Sequence, residues 1–157
     1  MDFTYSEEQE MLREGARRFL AEKSPLDRVR EIVETADGYD VELWGAIGEQ
    51  GWTAMHIPEQ YGGAGFSYAE TAILLHEMGR VLAPVPFLSS LLAAEAILAG
   101  GDDAQKAEWL PKLASGEIIG TVAVAEPAGD WDEASVAVAA SRDGDGFSLT
   151  GTKSFVT

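Results

Sequence analysis

The sequence predicts a mainly α-helical fold that gives way to a β portion near its C-terminal end. Three observations carry that expectation. Helix-start signals recur: Ser6-Glu7-Glu8-Gln9 and Ser67-Tyr68-Ala69-Glu70 read as capping boxes, and Asp102 stands three residues before Gln105 in the same relation. Behind these starts, apolar residues return at intervals of three and four, the period of one helix face. After Gly116 that period vanishes, and apolar, β-branched residues run together or alternate.

The elements follow in order. Leu12, Ala16 and Phe19 form the apolar face of a first helix, which Ser24-Pro25 ends. A shorter helix carries Leu26, Val29 and Val33. Asp40 is placed to cap a third, with Leu43, Trp44 and Ile47 inward and Gly51 just past its end. The helix opened by Ser67 runs to about Leu82, and Pro84 and Pro86 break the chain behind it. Phe87 to Ala99 is apolar nearly all round, which predicts a central, buried helix. Gly100-Gly101 stops it, and the helix capped by Asp102 ends near Gly116. Ile118 to Ala125 is a continuous apolar run that predicts a strand buried on both faces. Ser135 to Ala140 and Phe147 to Thr150 alternate about Asp143-Gly144-Asp145-Gly146, which predicts a hairpin. Ser154-Phe155-Val156-Thr157 reads as a further strand in which the chain stops. The expectation is a helical domain over residues 1–116 and the start of a β-domain over 117–157, its sheet completed by further residues or by another chain.

Composition narrows the function. The chain has 157 residues, 46% of them apolar, enough for one core. Eleven Lys and Arg against 27 Asp and Glu leave a net charge of −16, which argues against nucleic acid or anionic membrane as partner. The sequence contains no cysteine, so disulfides, thiolate metal sites and thiol catalysis are excluded. The start, Met1-Asp2-Phe3-Thr4-Tyr5, has neither the basic nor the apolar region of a signal peptide. A cytoplasmic protein is the simplest expectation.

Side chains that could carry chemistry are few. His56 and His76 lie far apart with no ligand spacing around them, so each reads as a satisfied structural histidine and no metal site is expected. Glu77 and Arg80, three apart on one helix, read as a surface ion pair. Gly62-Gly63-Ala64-Gly65 fits neither a dinucleotide fingerprint nor a phosphate loop, and reads as a tight connection between helices.

Several segments together resemble a known family. Trp44 to Trp52, Ile57-Pro58-Glu59-Gln60-Tyr61-Gly62-Gly63-Ala64-Gly65 and His76-Glu77-Met78-Gly79-Arg80 are similar to the N-terminal helical domain of acyl-CoA dehydrogenases. Gly101 to Lys106 with Trp109 to Glu117 resembles the stretch before the family's β-domain. Val124-Ala125-Glu126-Pro127 and Gly151 to Thr157 resemble its two flavin-facing segments. The resemblance covers essentially the whole chain, in order and at family-like spacing.

It implies FAD as cofactor, held by Val122, Val124, Ala125, Phe155, Val156 and Thr157, with Phe155 packing on the flavin and Thr157 near its reactive nitrogen. It implies an acyl-CoA thioester as substrate, with Gly62, Gly63 and Asp130 beside it, and α,β-dehydrogenation as the reaction. The sequence departs from the family at Ala125, where a hydroxyl residue is usual before Glu-Pro, and at Ala128-Gly129-Asp130-Trp131, where Gly-Ser-Asp is usual. None of Glu59, Glu70, Glu95 or Glu126 matches the family's catalytic base, so no catalytic residue is assigned. Two readings follow: the N-terminal portion of a flavin-dependent acyl-CoA dehydrogenase, inactive alone, or a non-catalytic partner or vestigial subunit that packs on a catalytic chain. Both imply homo- or hetero-oligomers with acyl-CoA dehydrogenase-like chains.

Overall fold

The structure, a computed structural model, describes residues 4–129 and 132–157. The chain divides into two compact units, Met1–Gly120 and Thr121–Thr157.

Among its described residues the first unit contains six α-helices: α1 (Glu7–Lys23), α2 (Leu26–Val33), α3 (Val41–Glu49), α4 (Tyr68–Arg80), α5 (Phe87–Gly100) and α6 (Asp103–Ala114). Each start follows its local signal. Ser6 and Gln9 exchange side-chain and backbone hydrogen bonds, as do Ser67 and Glu70, and Asp102 and Gln105. The Asp40 carboxylate accepts the N–H groups of Glu42 and Leu43 and opens α3. Between α3 and α4 the chain makes 3₁₀ turns at Trp52–Ala54 and Glu59–Tyr61.

One apolar cluster joins Ala16 and Leu20 of α1, Leu43, Trp44 and Ile47 of α3, Leu74 and Met78 of α4, and Phe87 of α5. Phe19 meets Trp52 edge-on, ring centroids 5.1 Å apart. A second cluster joins Ile57, Ala94, Leu110, Leu113 and Ala114. Burying one such Leu contributes about 1.5–3 kcal/mol relative to exposure.

Two expectations about helix faces are corrected. In α2 the buried residues are Val29 and Ile32, while Leu26 and Val33 face solvent. The first turn and the C-terminal end of so short a helix project beyond the core it touches. In α5 the buried side chains are Phe87, Ser89, Ser90, Ala93 and Ala94, whereas Leu88 is 53% and Leu92 47% exposed. The helix is therefore not enclosed all round. Small residues face inward because neighbours come close there: a Cβ at Gly120 would stand 2.5 Å from that of Ala93.

The second unit is β without being a sheet core. A two-stranded antiparallel ribbon pairs β1 (Ala139–Asp143) with β2 (Gly146–Thr150), with Ala139 opposite Thr150 and Asp143 opposite Gly146. The predicted hairpin is present, with its first strand beginning later than the alternation suggested. Gly144 holds φ at 60°, the left-handed value a two-residue turn of this kind requires. Every residue of both strands is exposed.

The predicted strands Ile118–Ala125 and Ser154–Thr157 do not form as strands, and the first is not buried on both faces: Ile119 and Val124 are exposed. Among the described residues no adjoining strand completes a ladder with either segment, and Phe155 takes a φ of 53°, which interrupts the extended run. The fold class stands: helices first, then a small β portion.

Candidate functional site

The two predicted flavin-facing segments lie together in the second unit. The Ser154 N–H donates to the Ala125 carbonyl at 2.8 Å, and the Thr121 hydroxyl donates to the Thr157 carbonyl. Residues 121–126 and 153–157 therefore run antiparallel, bringing Val122, Val124 and Ala125 beside Phe155, Val156 and Thr157. Among the described residues, none of these six offers its backbone N–H to an acceptor. Phe155 is 93% exposed in the left-handed region, which costs a bulky residue about 1–3 kcal/mol. Backbone N–H groups without an internal acceptor, beside an exposed aromatic ring, suit a planar ligand whose edge carries acceptors. The chemistry of the donor set thus fits an isoalloxazine, through backbone rather than side-chain groups.

A buried carboxylate underlies this pair of segments. Glu126 accepts the Ala137 N–H at 2.7 Å through Oε2, and the Val138 N–H at 3.1 Å and the Lys153 ammonium at 2.7 Å through Oε1. Lys153 also donates to the Val124 carbonyl at 3.2 Å. The Lys153 bond, then the Ala137 bond, hold the Glu126 carboxyl below its ordinary range against a smaller effect of burial. Sequence reasoning weighed Glu126 only as a base and gave Lys153 no role. A lone Lys entering an apolar segment of so acidic a chain was the available signal.

In the helical unit, Gly62 and Gly63 sit in a loop folded back on itself. Gly62 has φ 82°, and a Cβ at Gly63 would meet the Ile57 carbonyl oxygen at 1.8 Å, so only glycine fits there. The N–H groups of Gly62, Gly63, Ala64, Gly65 and Phe66 all bond to carbonyls between Ala54 and Glu59. No donor remains for a phosphate, and the tight-connection reading describes the loop's geometry. Asp130 lies outside the described residues.

His56 corrects its expectation. It is buried, yet neither ring nitrogen has a hydrogen-bond partner among the described residues. Nε2 stands 3.4 Å from Glu95 Oε1, at ion-pair range without hydrogen-bond geometry, and Glu95 Oε2 accepts the Tyr68 hydroxyl at 2.7 Å. A cavity of about 10 Å³, room for about one water, adjoins His56 and Ser90. Burial pushes the imidazole below its ordinary pKa, and the Glu95 carboxylate opposes this only in part.

Glu77 is likewise not a surface residue. Its side chain is 1% exposed and takes a bidentate pair of hydrogen bonds from Arg17 at 2.8 and 3.0 Å, while Arg80 stands farther away at 3.4 Å. The pair ties α1 to α4. The Arg17 bonds hold the Glu77 carboxyl below its ordinary value, outweighing burial. Among the described residues no group of three His, Cys, Asp or Glu side chains could hold a metal, and no helix is long and apolar enough to cross a membrane.

Capped helices followed in sequence by a small β portion define the class: a helical domain that leads into a β segment. Residues 6–117 match the family model described as acyl-CoA dehydrogenase, N-terminal domain, and the chain belongs to that family. It is 39% identical over 160 residues to (2S)-methylsuccinyl-CoA dehydrogenase of Cereibacter sphaeroides, covering 96% of this chain and 28% of that protein. The ChsE4-ChsE5 complex of Mycobacterium tuberculosis contains a chain that superposes with a TM-score of 0.84 at 31% identity, over 98% of this chain and 41% of that one. An acyl-CoA dehydrogenase of Bacillus anthracis, solved with FAD, superposes with a TM-score of 0.82 at 24% identity, over 97% of this chain and 27% of its own, a likeness of fold. The chain spans 28–40% of the length of the curated relatives it matches. The family is one of flavoprotein oxidoreductases of fatty-acid and lipid metabolism, and its members bind FAD.

Proposed function

We propose that this chain supplies the helical domain and the leading flavin-facing edge of an FAD-dependent acyl-CoA dehydrogenase, an enzyme that removes hydrogen across the α and β carbons of an acyl-CoA thioester. The observation that carries the reading is the set of backbone N–H groups without an internal acceptor on two antiparallel segments, with Phe155 exposed among them. On this reading Val122, Val124, Ala125, Phe155, Val156 and Thr157 bind and orient the flavin ring. The resemblance assigns Gly62 and Gly63 to the acyl-CoA, through compact backbone rather than by donating, and assigns Asp130 to the same ligand. Bound FAD supplies the hydride acceptor. On the same reading the Thr157 hydroxyl would hydrogen-bond near the ring's reactive nitrogen. No carboxylate of this chain is assigned as base. The site works within an oligomer of acyl-CoA dehydrogenase-like chains, in the cytoplasm.

A second reading has an observation of its own. Ala125 and Gly129 stand where the family usually carries hydroxyl side chains, which suits a partner chain that lends structure to a catalytic neighbour.

The test is titration of the chain with FAD, followed by flavin fluorescence and amide exchange, and then assay with acyl-CoAs and an artificial electron acceptor. FAD should slow exchange across 121–126 and 153–157, with no turnover above a protein-free control. Unchanged exchange at saturating FAD would overturn the flavin assignment. Turnover would place a base among these residues.

A further inference from the structure

Glu126 is the buried charged residue among the described residues from Thr121 onward. Its surroundings are built for a carboxylate. Two successive N–H groups, Ala137 and Val138, reach one oxygen each, and the Lys153 ammonium shares Oε1. An amide of the same shape has a single acceptor oxygen and would turn its NH₂ toward a donor. An aspartate is one methylene too short to reach the same three donors from the same backbone.

The topology gives this contact leverage. From Val138 the chain runs through β1 and β2 and returns at Lys153. Both ends of that excursion are fastened to one carboxylate, and Lys153 passes the restraint on to the Val124 carbonyl. The ribbon between them is exposed on both faces, and an isolated two-stranded ribbon is marginal in water. The register of 121–126 against 153–157 otherwise rests on the Ser154 bond to Ala125 and the Thr121 bond to Thr157.

We propose that Glu126, through Lys153 and the Ala137 and Val138 amides, is the positioning residue of the flavin edge: it sets the spacing at which the open N–H groups of Val124, Ala125, Phe155, Val156 and Thr157 meet the ring. The proposal rests on the flavin reading above. Glu126 touches no ligand itself. It acts by holding two segments that have little apolar packing to hold them.

The experiment uses the 157-residue chain as wild type, Glu126→Gln, Lys153→Met and Lys153→Arg. Exchange of the Ser154, Ala137 and Val138 amides is read without FAD, and FAD affinity is read by flavin fluorescence. Helical melting is followed in parallel. In E126Q and K153M the three amides should exchange about tenfold faster, and FAD should bind about tenfold more weakly, with the helical melt unchanged. K153R should restore both readouts. Wild-type affinity should fall only as pH drops below the usual carboxylate range, where the clamped Glu126 protonates, while E126Q stays flat. Unaltered exchange in E126Q would remove the clamp. Faster exchange with undiminished FAD affinity would overturn the positioning role. A wild-type chain that binds no FAD, with the exchange pattern intact, would sink the flavin reading and leave Glu126 only a fastening of the fold.

Discussion

In the helical unit, apolar residues at helical period find one another: Leu20, Ile47, Ile57, Leu74 and Leu110 are fully enclosed. In the β unit the apolar residues alternate as they should for strands, yet Phe147 is 67% and Leu149 71% exposed. What fastens the second unit is polar, a buried carboxylate taking three donors. Similar apolar patterning therefore has two outcomes. A helix satisfies its own backbone and needs only one covered stripe. A strand must borrow its hydrogen bonds from neighbours, and with few neighbours its apolar face stays open.

The largest expected effect breaks the helical side of that contrast. Leu74→Ala empties a fully enclosed site between α1, α3 and α4, and should cost about 2–5 kcal/mol. Urea unfolding followed by circular dichroism measures it. A loss under 1 kcal/mol would mean that the site collapses freely and is not close-packed.

Glu77 sharpens the role of charge in the same unit. Glu77→Gln removes the buried anion that α1 reaches through Arg17, and should cost about 1–3 kcal/mol. The lower end is favoured because Arg17 is 42% exposed and rehydrates. The folded carboxyl lies below its ordinary value, so its contribution is complete above the usual carboxylate range and is lost as pH falls through the folded value. E77Q should accordingly lose part of the acid slope of stability. Parallel pH profiles for the two proteins would show that the pair contributes nothing.

These sites also mark what was legible in sequence. Helix starts were legible because a capping box is chemistry between residues three apart, and all three proposed boxes formed. Leu43, Trp44 and Ile47 were legible by period. The inward face of α5 was not: hydropathy favours Leu88 and Leu92, whereas close approach selects Ser90, Ala93 and Ala94. Nor was the burial of Glu77, since its principal partner lies 60 residues away, while the local partner Arg80 is the weaker contact. The strands Ile118–Ala125 and Ser154–Thr157 failed for the general reason that a strand belongs to its neighbours. At the candidate site the carboxylate that joins the two segments was not legible, because its donors come from two other stretches of chain, Ala137 with Val138 and then Lys153.

His56 tests burial without partnership. Its folded pKa lies below the ordinary 6.5, so the native state binds its proton later than the unfolded chain does. Stability should be full above pH 6.5 and fall as pH drops toward the folded value, by at most about 1.4 kcal/mol per pH unit for this one group. His56→Gln should flatten that part of the profile, and NMR titration should show His56 protonating below the ordinary histidine value. His56 titrating at or above that value would mean that Glu95 outweighs burial.

The smallest expected effect belongs to the open ribbon. Leu149 faces solvent opposite Ala140 and encloses nothing, so Leu149→Ser should shift stability by no more than about 0.5 kcal/mol. Phe147 stands opposite Arg142, whose guanidinium lies 5.7 Å from the ring centroid, and Phe147→Ser should cost about 0.5–1 kcal/mol. Exchange of the β1 and β2 amides gives both values, because global unfolding reports the helical unit. Running each sample again at tenfold dilution adds the decisive control. An apolar face left open within one chain is unaffected by dilution, whereas one covered by a second copy becomes uncovered. A loss well above 1 kcal/mol at Leu149 that disappears on dilution would show a second chain covering this face, and the contrast between the two units would then hold for the single chain alone.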